Sequence, residues 1–232
     1  MSKLFNYLAL LLIVLPFTSC QEKKAEANVP KWILSMVSDS KNTSAETNFS
    51  NILSDKSVPY IGYIGTDYQK FSIDIQKVQR TDNDQYNVSG ITVVKNNRCD
   101  FRGTIDIVEN REFTHPTYGV DDSMKGQFRR RGCSIAKYNL EEASQTGSGV
   151  FTGYLLFYWY ETNDGKFVYD DIDSHSDSYC NNQYAGTWKS NKTKKSKPCA
   201  WGQYRVPNSG DLDIGAGEFS VNPKYAKNGW GK

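Results

Sequence analysis

The sequence predicts a mainly β domain, an antiparallel β-barrel or β-sandwich that follows one or two short N-terminal helices. Apolar and polar residues alternate from about residue 60 onward, a pattern that is typical of half-buried strands. Turn-forming residues separate the alternating runs, and no long helical pattern interrupts the series. The chain also contains 15 Tyr, 11 Phe and 5 Trp, and aromatic residues favour strands.

The short helices are expected at the start of this domain. Residues 32–37 (WILSMV) are mostly apolar, and residues 44–55 place Phe49, Ile52 and Leu53 at helical spacing. We therefore expect helical turns in these two ranges, before the first strand begins.

The strands are predicted from period-two alternation and from the turns between the alternating runs. Residues 71–75 (FSIDI) alternate, and the turn at 81–84 (TDND) leads into the next run. Residues 150–160 (VFTGYLLFYWY) are apolar on both faces and enter a hairpin turn at 163–165 (NDG). Further strands are expected at 86–94, 101–107, 166–172, 183–189, 200–206 and 217–221.

Glycines within the predicted strands favour the barrel form. Glycine within a strand marks a bend or a close backbone approach, and curved strands need such points. Chance recurrence is the alternative explanation for the pattern. Three strands place an aromatic residue two positions before a glycine: Phe101 before Gly103, Phe151 before Gly153, and Tyr184 before Gly186.

One tripeptide, Gly186-Thr187-Trp188, resembles the G-x-W motif of lipocalins and their calycin relatives. In that family the motif lies on the first strand and its tryptophan closes the barrel floor. The resemblance implies a lipocalin-like barrel, although here the tripeptide lies near the C-terminus. It implies no particular ligand.

The first twenty residues indicate export. Lys3 supplies a positive charge, residues 8–15 (LALLLIVL) are apolar, and Thr18-Ser19 precede Cys20. The apolar run is too short to span a bilayer, which needs about 20 residues, so a signal peptide is the better interpretation. The small residues before Cys20 resemble the lipobox of bacterial lipoproteins. That resemblance implies cleavage before Cys20 and acylation of this cysteine; an ordinary secretory signal is the alternative.

These features divide the chain into three parts. We expect residues 1–19 to be a lipoprotein signal peptide, residues 20–31 to be the lipidated cysteine with a flexible tether, and residues 32–232 to be a single β-rich extracytoplasmic domain. The charged tether resembles the export tags of some Bacteroidetes lipoproteins. We expect a cell-envelope protein held by its lipid on the outer membrane, with the periplasmic and the surface-exposed face both left open.

The other four cysteines form an even set in an oxidising compartment, which suggests two disulfides. We expect the pairs Cys99–Cys133 and Cys180–Cys199, because each pair joins neighbouring segments. A metal site is not expected, since the chain contains no C-x-x-C and only two histidines.

A ligand surface is predicted where positive and aromatic residues gather near the C-terminus. Its residues are Lys192, Lys194 and Lys195, with Trp201 and Tyr204 after them. Such a surface fits an anionic glycan, a lipid or a protein partner. The alternatives are a solvated lysine loop and aromatics that fill the core. The formal net charge of +2 argues against nucleic acid as a partner.

Catalytic motifs are not evident. His115 and His175 lie outside any G-x-S-x-G or H-E-x-x-H pattern. The acidic run at 170–177 (DDIDSHSD) offers carboxylates for calcium or forms a solvated loop. We therefore expect a non-enzymatic binding protein without a cofactor. A carboxylate-dependent hydrolase and a structural envelope protein are the alternatives.

Overall fold

The computed structural model describes residues 28–231. Two short helices precede the long strands, α1 (Lys31–Met36) and α2 (Ser50–Leu53); α1 overlaps the first predicted range and α2 lies within the second. The strands are β1 (Ser40–Asn42), β2 (Tyr60–Ile64), β3 (Gln69–Asp82), β4 (Gln85–Val94), β5 (Asn97–Phe113), β6 (Phe128–Glu142), β7 (Gly149–Thr162), β8 (Phe167–Tyr169), β9 (Asn181–Ser190) and β10 (Ser196–Gln203). The strand predicted at 217–221 is wrong: Val221 makes only an isolated bridge to Asp213.

Eight strands pair into a closed ring, and every pairing is antiparallel. Around the ring the order is β2, β3, β4, β5, β6, β7, β9 and β10, which returns to β2. The two remaining strands are not part of the ring; β1 pairs with β5, and β8 pairs with β7. Because neighbours in the ring follow one another along the chain, the sheet is an up-and-down barrel. The predicted antiparallel β fold is confirmed.

Large side chains fill the inside of the barrel. Trp159, Trp201 and Tyr184 are completely buried, and the rings of Tyr184 and Trp201 stack with centroids 4.8 Å apart. Phe71 and Phe151 also pack against Trp201. An eight-stranded barrel is just wide enough for its own side chains to fill. The protein's own side chains therefore occupy the interior that a barrel of this size could offer to a ligand.

Glycine allows a close approach on the inner wall. Gly153 of β7 and Gly186 of β9 lie opposite each other. The hydroxyl of Tyr138 lies only 2.6 Å and 2.7 Å from where Cβ atoms would stand at these two positions. A larger residue at either position would displace the tyrosine. This contact is the physical reason for two of the three aromatic-x-glycine patterns in the sequence.

One end of the barrel is closed by a buried carboxylate. Glu142 accepts hydrogen bonds from Trp188 Nε1 at 3.0 Å, from the Gly149 backbone N–H at 2.8 Å, and from Thr92 Oγ1. Trp188, on β9, thus helps to close this end of the barrel. Its side chain is partly buried.

The opposite end is closed by α2 and by buried amides. Phe49, next to α2, packs edge-on against Phe157 at 5.2 Å. Asn182 Nδ2 donates to the Ile52 carbonyl at 3.0 Å and to Gln203 Oε1 at 2.9 Å. Both side chains are fully buried, and these hydrogen bonds satisfy the Asn182 side-chain nitrogen and the Gln203 side-chain oxygen.

Two segments cover parts of the outer wall. The helix α1 packs Ile33 and Val37 against Leu156 and its neighbours on β6 and β7. The chain after β10 packs Leu212 against Ala200 and other outward residues of β2, β9 and β10. Outward residues of these strands are therefore buried, so alternation alone does not identify the solvent face there.

Neither predicted disulfide forms in the structure, where all four cysteines are free. Cys133 lies opposite Arg111, twelve residues along β5 from Cys99, on the order of 40 Å at about 3.3 Å per residue. Cys199 lies opposite Gly186, six residues beyond Cys180 and roughly 20 Å away on the same scale. Cysteines with Cα atoms more than about 7 Å apart cannot be bridged. The expectation that adjacent segments bring adjacent cysteines together is wrong.

The signal peptide, Cys20 and most of the tether lie outside the described residues. Within residues 28–231 no helix is long and apolar enough to cross a membrane.

Candidate functional site

A pocket of about 340 Å³ opens on the outer wall of the barrel, and we call it the side pocket. It lies between α1, the end of β5, the outer faces of β6 and β7, and the loop that leads into β9. Residues from all these elements line it, among them Met36, Phe113, Arg131, Tyr158, Asp173 and Cys180.

A buried guanidinium forms one wall of the side pocket. Arg131 points outward from β6, yet only 8% of its side chain is exposed. Its Nε donates to Asp170 Oδ2 at 2.5 Å, and its Nη1 donates to Asp173 Oδ2 at 2.7 Å. Nη1 also donates to the carbonyl (3.1 Å) and to the hydroxyl of Thr117. Two loops are thus fixed to β6 by one side chain.

The loop that carries Asp170 is itself held in place. Asp170 Oδ1 accepts from the Ile172 backbone N–H at 3.2 Å. The Asp170 carbonyl accepts from Asn181 Nδ2 at 3.2 Å and from the hydroxyl of Tyr179. Asn181 Oδ1 in turn accepts from the Tyr158 backbone N–H at 2.8 Å. The side chains around the pocket therefore have little freedom to move.

The electrostatics follow from burial and from this pairing. Burial opposes the charge on Arg131, but Asp170 and Asp173 raise its pKa above the usual value. Burial raises the pKa of Asp170, and the nearby Arg131 charge opposes that effect. Burial also opposes the charge on Asp173, but hydrogen bonds from Thr117 and Arg131 lower its pKa overall. With all three groups ionised, two aspartates and one arginine leave the cluster one negative charge.

Three polar groups at the side pocket keep unused hydrogen-bonding capacity among residues 28–231. Every hydrogen bond of Arg131 uses Nε or Nη1, which leaves Nη2 without a partner. Both hydrogen bonds to the Asp173 carboxylate end on Oδ2, which leaves Oδ1 free. The Tyr158 hydroxyl has no hydrogen bond, and burial raises its pKa well above the usual value.

Apolar groups form the rest of the wall. The rings of Phe113 and Tyr158 stack with centroids 6.0 Å apart and planes 26° apart. Met36 contributes from α1. A mainly apolar recess with a few convergent polar groups is the usual form of a small-ligand site.

The structure does not assemble the ligand surface predicted from the sequence. Lys192, Lys194 and Lys195 are exposed in the turn between β9 and β10. Trp201 is fully buried inside the barrel. Tyr204 follows the end of β10 and packs edge-on against Tyr179, with centroids 4.7 Å apart. The prediction that these five residues share one surface is wrong.

Arg130 and two aspartates of the acidic run at 170–177 have ion-pair partners in the fold. Arg130 Nε pairs with Glu161 Oε2 at 2.5 Å, and its guanidinium lies 5.7 Å from the Trp159 ring centre. The acidic run supplies Asp170 and Asp173 to Arg131. No cluster of three or more His, Cys, Asp or Glu suited to a metal ion is found in the described part of the chain.

The two histidines lie at the surface. His115, at the rim of the side pocket, is 85% exposed and lies 3.1 Å from an Asp39 carboxylate oxygen. His175 is also exposed. His115 contacts the Thr114 hydroxyl and the Asp39 carboxylate through one ring nitrogen, Nδ1, whereas a triad histidine uses one ring nitrogen for the nucleophile and the other for the carboxylate.

The sequence alone does not connect the residues of the side pocket. Arg131 and Asp170 are 39 residues apart. Each lies among other charged residues in the sequence, a pattern that is typical of a solvent-exposed face. Tyr158 belongs to a run that is apolar on both faces. One indication was available: Arg131 directly precedes the small, uncharged residues 132–136 (GCSIA), where burial is expected.

Comparison with models of protein families, with curated protein sequences and with solved structures finds no match for this chain.

Proposed function

We propose that this protein is a non-enzymatic, lipid-anchored protein of the cell envelope that binds a neutral sugar residue of a glycan in the side pocket. The observation that carries the proposal is the free donor and the free acceptor on one buried ion pair. Arg131 Nη2 is the donor and Asp173 Oδ1 is the acceptor.

A sugar matches this arrangement because each hydroxyl both donates and accepts a hydrogen bond. One hydroxyl can accept from Arg131 while its neighbour donates to Asp173. Hydrogen bonds to charged groups contribute about 1.5–3 kcal/mol each. The Tyr158 ring offers an apolar face for the C–H groups of the sugar, and its hydroxyl offers a further contact.

The charge of the cluster favours a neutral ligand over an anionic one. Asp170 and Asp173 more than neutralise Arg131, so a carboxylate or phosphate would meet net negative charge. The anionic partner suggested by the lysine-rich turn is therefore not the ligand proposed for this pocket. A volume of about 340 Å³ lies near the lower end for small-ligand sites, which suits a single sugar unit.

The bonding of the carboxylates favours binding over hydrolysis. Both oxygens of Asp170 already accept hydrogen bonds, from Arg131 and from the Ile172 backbone. A hydrolase of this class needs one carboxylic acid that can give its proton to the leaving group. Of the two carboxylates that line the side pocket, only Asp173 has an oxygen without a hydrogen bond from the described chain. The lowered pKa of Asp173 keeps this group ionised.

Titration calorimetry with a panel of neutral mono- and disaccharides tests the proposal. Asp173→Asn keeps a similar shape but removes the charge, and we expect roughly tenfold weaker binding. Tyr158→Phe removes one hydroxyl and should weaken binding about threefold to tenfold. Tyr154→Phe is the matched control, because Tyr154 also points outward from β7 but does not line the pocket. Absence of sugar binding, or binding that neither variant weakens, would exclude this function.

A further inference from the structure

A second concave region lies on the outer wall, across β3, β4, β5 and β6, and encloses about 1170 Å³. We call it the wall groove. Outward polar side chains form its lining, among them Lys77, Asn87, Asp100, Arg102, Asn139 and Glu141.

The backbone itself makes the wall groove concave. A Cβ atom at Gly90 would stand 2.0 Å from the Asp74 carbonyl oxygen, and one at Gly103 would stand 1.9 Å from the Asn139 carbonyl oxygen. Strands approach each other this closely only where glycine leaves room. A bulge in β3 between Ile75 and Lys77 bends the same part of the sheet.

Four of the five charged side chains that line the wall groove make no ion pair or side-chain hydrogen bond within residues 28–231, whereas the fifth, Glu142, closes the barrel end. Arg102 lies directly opposite Glu141 on β6 and opposite Ser89 on β4. Opposite charges at such positions commonly pair, yet no ion pair or side-chain hydrogen bond joins Arg102 to any residue of the described chain. The same holds, within residues 28–231, for the side chains of Lys77, Asp100 and Glu141.

We infer that the wall groove binds an extended, neutral polysaccharide chain. The lining carries two cations, Lys77 and Arg102, and three anions, Asp100, Glu141 and the buried Glu142, so the groove does not favour a polyanion. The exposed large hydrophobic residues of the described chain, Leu34, Val120 and Ile214, do not line it. It therefore lacks the apolar patch that marks lipid and protein contacts.

A peptide strand is excluded as the occupant for a separate reason. Strands β3, β4, β5 and β6 are each paired on both sides, so the groove has no free edge to which a strand could add. What the groove offers is a row of amides, carboxylates and a guanidinium with free donors and acceptors. Sugar hydroxyls along an extended chain satisfy both kinds of group.

The wall groove is distinct from the side pocket. Glu141 and Arg131 both lie on β6, ten residues apart, which corresponds to roughly 33 Å. Variants in one site can therefore be made without touching the other. The inferred binding in the wall groove does not depend on sugar binding in the side pocket.

Native gel electrophoresis with polysaccharide in the gel tests the inference. The whole mature protein, kept in mild detergent, is run through gels that contain dextran, mannan, xyloglucan or a mixed-linkage β-glucan. We expect at least one of these neutral polymers to retard the protein. The double variant Arg102→Ala/Asn139→Ala should weaken this binding at least tenfold. Both side chains are exposed, so the fold should be kept.

Two control variants make the result specific. Arg98→Ala removes an exposed arginine from the same strand outside the groove, and it should be retarded like the wild type. Tyr158→Phe changes only the side pocket and should also leave the retardation unchanged. The inference is overturned if none of the four polymers retards the protein, or if the double variant is retarded like the wild type. Stronger, salt-sensitive retardation by alginate would overturn it too, since that points to a polyanion.

Discussion

Replacing Arg131 by methionine tests the burial of the Arg131–Asp170 ion pair at the side pocket. The change removes the charge that balances Asp170, whose side chain is 1% exposed. Breaking a buried pair from one side costs about 3–5 kcal/mol, because the remaining charge is left without a partner. We expect Arg131→Met to lower the free energy of unfolding by that amount at pH 7.

The pH dependence of this loss has a definite sign. Without Arg131, burial should raise the pKa of Asp170 in the folded variant above the value of about 3.9 in the unfolded chain. The destabilisation by Arg131→Met is then fully present at pH values above the pKa of Asp170 in the folded variant. It disappears at pH values below the pKa of Asp170 in the unfolded chain, where Asp170 is neutral in both states. The difference in stability between wild type and Arg131→Met should therefore shrink when the pH is lowered from 7 to below 4.

Urea unfolding, followed by tryptophan fluorescence at both pH values, measures these differences. The double variant Arg131→Met/Asp170→Leu is the control, since it removes both charges. It should lose less than the sum of the two single variants, because the paired groups are coupled. A loss below about 1 kcal/mol for Arg131→Met, typical of exposed pairs, would refute the burial of this pair. A loss that does not change with pH would refute the electrostatic explanation.

Three further predictions concern the core, the cysteines and the anchor. Trp201→Ala should cost roughly 3–5 kcal/mol in urea unfolding, whereas replacing Lys192, Lys194 and Lys195 by serine should change stability by less than about 0.5 kcal/mol; equal effects would contradict the placement of the tryptophan. The protein without its lipidated cysteine, unfolded without reductant, should titrate four thiols, and two or none would mean that disulfides form. Cys20→Ser should abolish labelling with a fatty-acid probe and release the protein from membranes, and unchanged retention would exclude the lipid anchor.

The surroundings of the thiols predict low reactivity in the folded state. Burial raises the pKa of Cys133, Cys180 and Cys199 to about 12, so little thiolate is present at neutral pH. Thiol reagents should therefore modify the native protein slowly and the unfolded protein quickly. The even number of cysteines suggested disulfides, but the number of cysteines says nothing about which side of a sheet each one occupies.

Strands with one covered face were predictable, and strands without that pattern were not. The run at 71–75 alternates because Phe71, Ile73 and Ile75 point inward and their neighbours meet water. The strand β6 was not predicted, since Arg131, Cys133 and Ile135 point outward and are nevertheless buried. Its outer face is covered by α1 and by the loop around Asp170, and such contacts leave no period in the local sequence.

The prediction that Trp201 belongs to a ligand surface is wrong for the same reason. Trp201 lies in the centre of the barrel, while Trp188 is only partly buried at one end. Ala200 and Trp201 are adjacent and both are fully buried, because the chain after β10 covers the outer wall. Where both faces of a strand are covered, alternation cannot tell which face is the inner one.

The filled interior determines where this barrel can act. A barrel of eight strands either holds one small ligand or is filled by its own side chains. Here aromatic rings such as those of Trp159, Trp201 and Tyr184 occupy the inside, and Glu142 and Asn182 help to close its two ends. The proposed binding sites therefore lie on the outer wall, which is concave where loops cover it and where glycines bend it. The side pocket depends on the first cause and the wall groove on the second. Variants in either should therefore alter binding without opening the core.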